Sequence, residues 1–144
     1  VDDPYVIYLR NELGENLKSI TGTAQYEVNK LSAELGNADV ELVRKELGTE
    51  FDMIVHEPDG ILEIGQAGHS KASGIERLCA SLGIAKEDTY AFGDSANDVE
   101  MLEFVAHGIA MGNGTDVAKN AAEFVTTDIH KDGIWNGLKH YGLI

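Results

Sequence analysis

Two carboxylates and an amide follow a short apolar run near residue 90, in a pattern that suits metal chemistry. The run Thr89–Phe92 has strand-forming residues, Gly93 interrupts it, and Asp94, Asn97 and Asp98 come next. In parallel α/β sheets, ligands bind at the carboxyl ends of the strands. Oxygen ligands suit Mg²⁺, which proteins hold through one or two carboxylates, water and substrate phosphate. The stretch therefore predicts an oxygen-rich site at the end of a strand.

The same residue types also occur for structural reasons. Asp and Asn are favoured in turns and at helix N-caps, so Asn97 or Asp98 could simply cap the helix that follows. Lys71 is either an exposed lysine at the start of a helix or a point charge for a phosphate group. The turn Gly112–Thr115 either offers its backbone N–H groups to an anion or only satisfies turn geometry. For each residue taken singly, both interpretations stay open.

The elements predicted after residue 70 alternate between strands and helices. The predicted strands are Thr89–Phe92, Gly108–Met111 and Phe124–Thr126, and the predicted helices are 71–82 with Ser70 as N-cap, 97–106, 116–122 and 133–141. This alternation indicates a parallel sheet covered on both faces. Sheets of this class usually have about five or six strands. We therefore expect an α/β fold that is the C-terminal half of a doubly wound parallel sheet.

The residues before this region follow a different pattern. We predict a strand at Tyr5–Leu9, helices at Gln25–Leu35 and Val40–Leu47, and a hairpin formed by Phe51–Glu57 and Ile61–Ile64. These elements indicate part of an α+β domain. The pattern changes near residues 65–70, which predicts two units: a partial α+β cap at residues 1–66 and a core at residues 67–144.

Composition excludes several functional classes. The net charge of −14 argues against a nucleic-acid partner, because phosphate backbones require clustered Lys and Arg. No apolar run approaches the roughly 20 residues that span a bilayer, and no basic-then-apolar leader is present, so we expect no membrane partner. Cys79 is the only cysteine, which fits the cytoplasm, and we expect it to be a buried structural thiol. Trp135 and Tyr141 are expected in the core.

In their order and spacing, these motifs resemble the haloacid dehalogenase (HAD) superfamily, and most closely its Cof-type sugar-phosphate phosphatases. The matching residues are Leu62–Ile64, Gly68–Lys71, Gly93–Asp98, Met101–Leu102, Ile109–Asn113 and Asp132–Gly133. The resemblance covers residues 60–144 well and the first sixty residues loosely.

The resemblance implies a phosphatase that hydrolyses small phosphate monoesters through a phospho-aspartyl intermediate, with Mg²⁺ as cofactor and a small phosphorylated metabolite as partner. Carried over by position, Lys71 would pair with the phosphate and the nucleophile. Asp94 would ligate Mg²⁺, and Asp98 would be either a further ligand or a residue that orients the site. Asn97 would hydrogen-bond the phosphate or the substrate. A phosphoryl group in transfer needs such positioned positive charge.

The sequence departs from the family at the nucleophile, because it contains no Asp-x-Asp motif. We therefore expect the chain to be the C-terminal part of such a phosphatase, inactive alone, with a homodimer or a complementing N-terminal segment as its partner.

Two other interpretations stay open. The segment Gly108–Ala118 also resembles the hinge of P-type ATPase phosphorylation domains, although those pumps usually have Gly in the position of Ser95. From a different class, the chain could be a non-catalytic binding or regulatory fragment that pairs with another chain through an open sheet edge.

Overall fold

The computed structural model describes residues 7, 11–12, 14–16, 28–37, 39–56 and 60–144, which form two three-stranded sheets with helices. In chain order the elements are β1 (Lys30–Glu34), α1 (Val40–Leu47), β2 (Phe51–His56), β3 (Ile61–Gln66), α2 (Lys71–Leu82), β4 (Tyr90–Gly93), α3 (Val99–Phe104), β5 (His107–Ala110), α4 (Asp116–Ala121), β6 (Phe124–Val125) and α5 (Gly133–His140). Short 3-10 turns connect several of them, including one at Ala96–Asp98.

The first sheet is antiparallel, with strand order β1–β3–β2. The predicted hairpin is confirmed: Phe51 pairs with Gln66 and His56 with Ile61 across β2 and β3. The alternating pattern of these strands places Met53, opposite Ile64, on one face of the sheet, whereas Glu63 lies on the other face.

The predicted helix Gln25–Leu35 is wrong over its described part. Residues 30–34 form the edge strand β1, which pairs with β3 so that Leu31 lies opposite Ile64. Leu31 and Leu35 have helical spacing, but Lys30–Glu34 also alternates polar and apolar side chains, and pairing with β3 decides between the two periods. The predicted strand Tyr5–Leu9 lies outside the described residues except for Ile7, which is helical; the prediction is wrong at that position.

The second sheet is parallel, in the order β4–β5–β6, as the alternation of strands and helices predicts. Its central strand is the most buried part of the described chain, since Ile109 and Ala110 have no exposed surface. Leu102 of α3 and Ala118 of α4 are buried against it. This packing holds the carboxyl ends of β4 and β5 side by side at the same end of the sheet.

Helix α5 packs closely on strand β4. A β-carbon added at Gly137 would lie 2.5 Å from Cε1 of Phe92, so only glycine allows this approach. Trp135, on the same helix, is 51% exposed, which corrects its expected place in the core. Its ring instead lies beneath Nζ of Lys139, at 4.7 Å from the centroid.

A polar and aromatic cluster joins the end of α5 to the amino end of the parallel sheet. Nδ1 of His107 lies 2.9 Å from Oε2 of Glu123, and the Tyr141 hydroxyl donates a hydrogen bond to the same oxygen at 3.0 Å. The ring of Tyr90 stacks on His107 with 4.6 Å between the centroids. The cluster lies at the end of the sheet opposite the predicted site.

Candidate active site

The carboxylate of Asp98 binds the backbone at the start of the loop after β4. Oδ2 of Asp98 accepts hydrogen bonds from the backbone N–H groups of Asp94, at 2.9 Å, and Ser95, at 3.2 Å. A β-carbon added at Gly93 would lie only 2.6 Å from Cβ of Asp98. Glycine at the end of β4 therefore allows the Asp98 side chain to fold back beneath the loop.

Capping explains part of this arrangement, because Ser95 and Asp98 form a reciprocal capping box around the 3-10 turn Ala96–Asp98. Asp98 occupies the N-cap position of α3, but its side chain makes no capping hydrogen bond to that helix. The amide oxygen of Asn97 accepts a hydrogen bond from the Ser95 hydroxyl at 2.7 Å. Both side chains thus face the loop at the carboxyl end of β4.

Lys71 reaches the same loop from the start of α2. Ser70 and Ser73 form a reciprocal capping box, which makes Lys71 the first residue of the helix. Nζ of Lys71 lies 2.5 Å from Oδ1 of Asp98 and 3.5 Å from Oδ1 of Asn97. The side chain of Lys71 is 48% exposed, whereas that of Asp98 is 6% exposed. The ammonium group is therefore held at the carboxyl end of β4 and remains open to solvent on one side.

Asp98 stays ionised because its partners outweigh the cost of its burial. Burial alone would raise the pKa of Asp98, but the hydrogen bond from Lys71, together with those from the N–H groups of Asp94 and Ser95, lowers it below the ordinary value. Lys71 and Asp98 thus form a charged pair at neutral pH.

Asp94 differs from Asp98 in having a free carboxylate. It is exposed, and its side chain makes no hydrogen bond or ion pair with any described residue. No group of three acidic, His or Cys side chains in the described part of the chain surrounds a point where a metal could bind. Mg²⁺ keeps several waters and needs only one or two protein carboxylates, so Asp94 fits as one ligand. Both oxygens of Asp98 are already occupied by protein donors, which fits an orienting role.

The turn after β5 lies next to the loop after β4, at the carboxyl end of the sheet. Three of its N–H groups bind carbonyl oxygens: Gly112 to Thr127 at 3.1 Å, Gly114 to Met111 at 2.8 Å, and Thr115 to Asp94 at 2.8 Å. These three groups are therefore not free to bind an anion, which favours turn geometry over anion binding as the interpretation of this turn. The contact between Thr115 and Asp94 was not predicted from the sequence.

Known proteins with related sequences and structures identify the family. The family described as haloacid dehalogenase-like hydrolase matches residues 9–138. A protein from Geobacillus stearothermophilus, named for its position in the pdhA 5' region, is 54% identical over 78 residues, which cover 54% of this chain and 82% of that protein. The 5-amino-6-(5-phospho-D-ribitylamino)uracil phosphatase YitU of Bacillus subtilis is 36% identical over 138 residues, covering 92% of this chain and 47% of YitU.

A solved structure shows the same arrangement of elements. A sugar phosphatase of HAD subclass IIB superposes with a TM-score of 0.76 at 31% identity, covering 83% of this chain and 45% of that one. The present chain therefore spans about half the length of YitU and of this phosphatase. No helix in the described ranges has the length and apolar character to cross a membrane. The chain belongs to the haloacid dehalogenase-like hydrolases, and its relatives support the Cof-type resemblance.

Proposed function

We propose that the chain is part of a Mg²⁺-dependent phosphatase that hydrolyses small phosphate monoesters. The observation that carries this proposal is that one carboxylate, that of Asp98, binds the ammonium group of Lys71 through Oδ1 and the backbone N–H of Asp94 through Oδ2. The Asp94 carboxylate itself has no partner among the described residues. One positioned cation and one available oxygen ligand at the same strand end match the charge that phosphoryl transfer requires.

Each residue has a distinct proposed role. Lys71 pairs with the negative charge of the phosphoryl group, and Asn97 donates a hydrogen bond to the phosphate or to the substrate. Asp94 is the protein ligand to Mg²⁺, which when bound neutralises charge on the phosphate oxygens. Asp98 orients Lys71 and the loop, and it is the weaker candidate for a metal ligand because protein donors already occupy both of its oxygens.

The nucleophile must come from outside this sequence, which has no Asp-x-Asp motif. We propose that an aspartate carboxylate attacks phosphorus and the ester oxygen leaves with a proton from a neighbouring acid. Water then attacks the aspartyl phosphate, which releases inorganic phosphate and regenerates the carboxylate. The 144-residue chain alone would therefore lack turnover.

The open edge of β4 is where we place the complementing segment. Within the described ranges β4 pairs only with β5, and its other edge is left without a strand. Leu78 and Leu82 of α2 are 56% and 63% exposed, so apolar surface on this helix also lacks cover from the described residues. A parallel strand added beside β4 would end next to Lys71 and Asp94, and would deliver a nucleophile there.

For the substrate we propose sugar or sugar-alcohol phosphates. The names of two relatives support this class, since YitU acts on a phosphoribitylamino compound and the subclass IIB structure is a sugar phosphatase. A screen of pentose, hexose and alditol phosphates by phosphate release would test it. Turnover restricted to phosphates without a polyol group would contradict it.

The decisive experiment compares the 144-residue chain with the product of its complete open reading frame, using a generic phosphate ester with and without Mg²⁺. We expect turnover only from the complete product, and a fall in kcat/KM of about 100-fold or more for Lys71→Met and Asp94→Asn. Asp88→Asn is the matched control, because Asp88 is an exposed aspartate at the opposite end of β4. Mg²⁺-dependent turnover by the short chain, unaffected by Asp94→Asn, would refute the mechanism. An open reading frame without Asp-x-Asp and without turnover would favour the non-catalytic binding fragment.

A further inference from the structure

We infer that Gly114 and Thr115 are positioning residues for Asp94, so that the turn after β5 sets where the proposed metal ligand lies. This inference rests on the role proposed for Asp94 and gives a role to two residues of the turn Gly112–Thr115 other than binding an anion. It follows from contacts between the two loops at the carboxyl ends of β4 and β5.

Two hydrogen bonds join the turn to the backbone of Asp94. The N–H of Thr115 donates to the carbonyl oxygen of Asp94 at 2.8 Å, and the Thr115 hydroxyl donates to the same oxygen at 3.3 Å. The carbonyl of the preceding residue, Gly93, accepts a hydrogen bond from Met111 at 2.9 Å, which extends the β4–β5 pairing up to the loop. The backbone of Asp94 is therefore fixed although its side chain is free.

Close packing enforces the same position. A β-carbon added at Gly114 would lie 3.0 Å from both Cα and the carbonyl oxygen of Asp94, and 2.9 Å from the carbonyl oxygen of Met111. All three neighbours are backbone atoms, so none can move aside as a flexible side chain would. Any larger residue at position 114 must push the turn and the Asp94 backbone apart.

The turn is also hydrogen-bonded to the segment before α5, on the side away from Asp94. The amide oxygen of Asn113 accepts a hydrogen bond from the N–H of Ile129 at 2.9 Å, and Gly112 donates to the carbonyl of Thr127 at 3.1 Å. The turn therefore lies between Asp94 on one side and the segment before α5 on the other. Such support matters because residues behind a metal ligand commonly change metal affinity by about 10–100-fold when altered.

The test uses the 144-residue chain, Mg²⁺ alone as the probe, and two readouts by NMR. The first is the Kd for Mg²⁺ from shifts of the Asp94 amide; the second, measured without metal, is the hydrogen-exchange rate of the Thr115 amide. For Gly114→Ala we expect a Kd raised by about 10–100-fold and exchange at Thr115 faster by at least about tenfold. Thr115→Val should raise the Kd less, because the backbone hydrogen bond remains, and Thr115→Ser should restore it.

Gly74→Ala is the matched control, since a β-carbon at Gly74 would meet no atom within 4 Å; we expect both readouts to be unchanged. Wild-type exchange and wild-type Kd in Gly114→Ala would overturn the inference. If the wild-type chain shows no Mg²⁺-dependent shift at Asp94 while Gly114→Ala still releases the Thr115 amide, the metal role proposed above fails and the positioning contact is supported.

Discussion

Replacing Asp98 with asparagine tests how the loop after β4 is held. The Asp98 carboxylate, 6% exposed, accepts from three donors: Nζ of Lys71 and the N–H groups of Asp94 and Ser95. Asparagine has one acceptor oxygen, so its NH₂ group must face either the ammonium or the two N–H groups. Leaving a buried donor without an acceptor costs about 1–3 kcal/mol. Because Lys71 is half exposed, its ammonium can bind water instead, so the loss of stability should stay below the roughly 3–5 kcal/mol of a fully buried pair. We expect Asp98→Asn to lower the free energy of unfolding by about 2 kcal/mol.

The assay is urea unfolding followed by circular dichroism, supported by thermal melts. A loss of about 2 kcal/mol corresponds to a fall in Tm of roughly 4–8 °C for a domain of this size. Asp94→Asn is the matched control: it makes the same chemical change four residues earlier, at an exposed carboxylate without a described partner. Its effect should stay within about 0.5 kcal/mol. Equal stabilities of the two variants would refute the reasoning that Asp98 is structural and Asp94 free.

Three further predictions concern the packing of α5 and the cluster at its end. Gly137→Ala should destabilise the protein by about 1–3 kcal/mol, because the added β-carbon would meet the ring of Phe92. The control Gly74→Ala should instead stabilise it by about 0.5–1 kcal/mol, since its β-carbon meets no atom. Both are measured by urea unfolding, and equal effects would contradict the close approach of α5 to β4. Hydrogen bonds from His107 and Tyr141 lower the pKa of Glu123 in the folded protein. The stability they contribute is therefore present above the ordinary pKa of 4.5 and is lost as the pH falls through the lower, folded value. In thermal melts, the Tm of the wild type should fall more steeply with acid than that of Glu123→Gln. Burial, followed by the hydrogen bond to Glu123, raises the pKa of Tyr141 to about 12. The stability contributed by the Tyr141 hydroxyl is therefore present below pH 10.0 and is lost as the pH rises towards 12. The same dependence of Tm on alkaline pH in Tyr141→Phe would contradict this.

The core sheet was predictable because its sequence carries consistent local signals. Ser70 begins α2 with a capping box, and Gly83 ends it with a left-handed backbone, φ 67°. The apolar run at Thr89–Phe92 became β4, shifted by one residue. Local caps and turn residues determine such boundaries, so sequence reasoning finds them without knowledge of the fold.

The errors arose where distant pairing decides the outcome. Residues 30–34 are compatible with a helix or a strand, and only pairing with β3 selects the strand. The contact between Thr115 and Asp94 joins residues 21 positions apart, and it depends on how the ends of two neighbouring strands meet. Trp135 was expected in the core because it is large and apolar, but α5 turns Gly137 toward the sheet and leaves the indole half exposed. No sequence period separates these alternatives.

The loop after β4 combines the proposed catalytic function with a structural one, which is why its sequence fits both interpretations. Asp94 and Asp98 have the same side chain and lie four residues apart in one loop, yet their different contacts suit them to different roles. Asp98 accepts hydrogen bonds from three donors, one of them the Lys71 ammonium, and is therefore the weaker candidate for a metal ligand. Asp94, in contrast, has its backbone bound by Thr115, and its carboxylate has no partner among the described residues. If Asp94 is the one protein carboxylate that this chain supplies to Mg²⁺, the chain alone should bind the ion weakly, because a single carboxylate replaces few of its waters. Tight binding would then require the second carboxylate, and the strand proposed beside β4 would complete the metal site and supply the nucleophile in the same step.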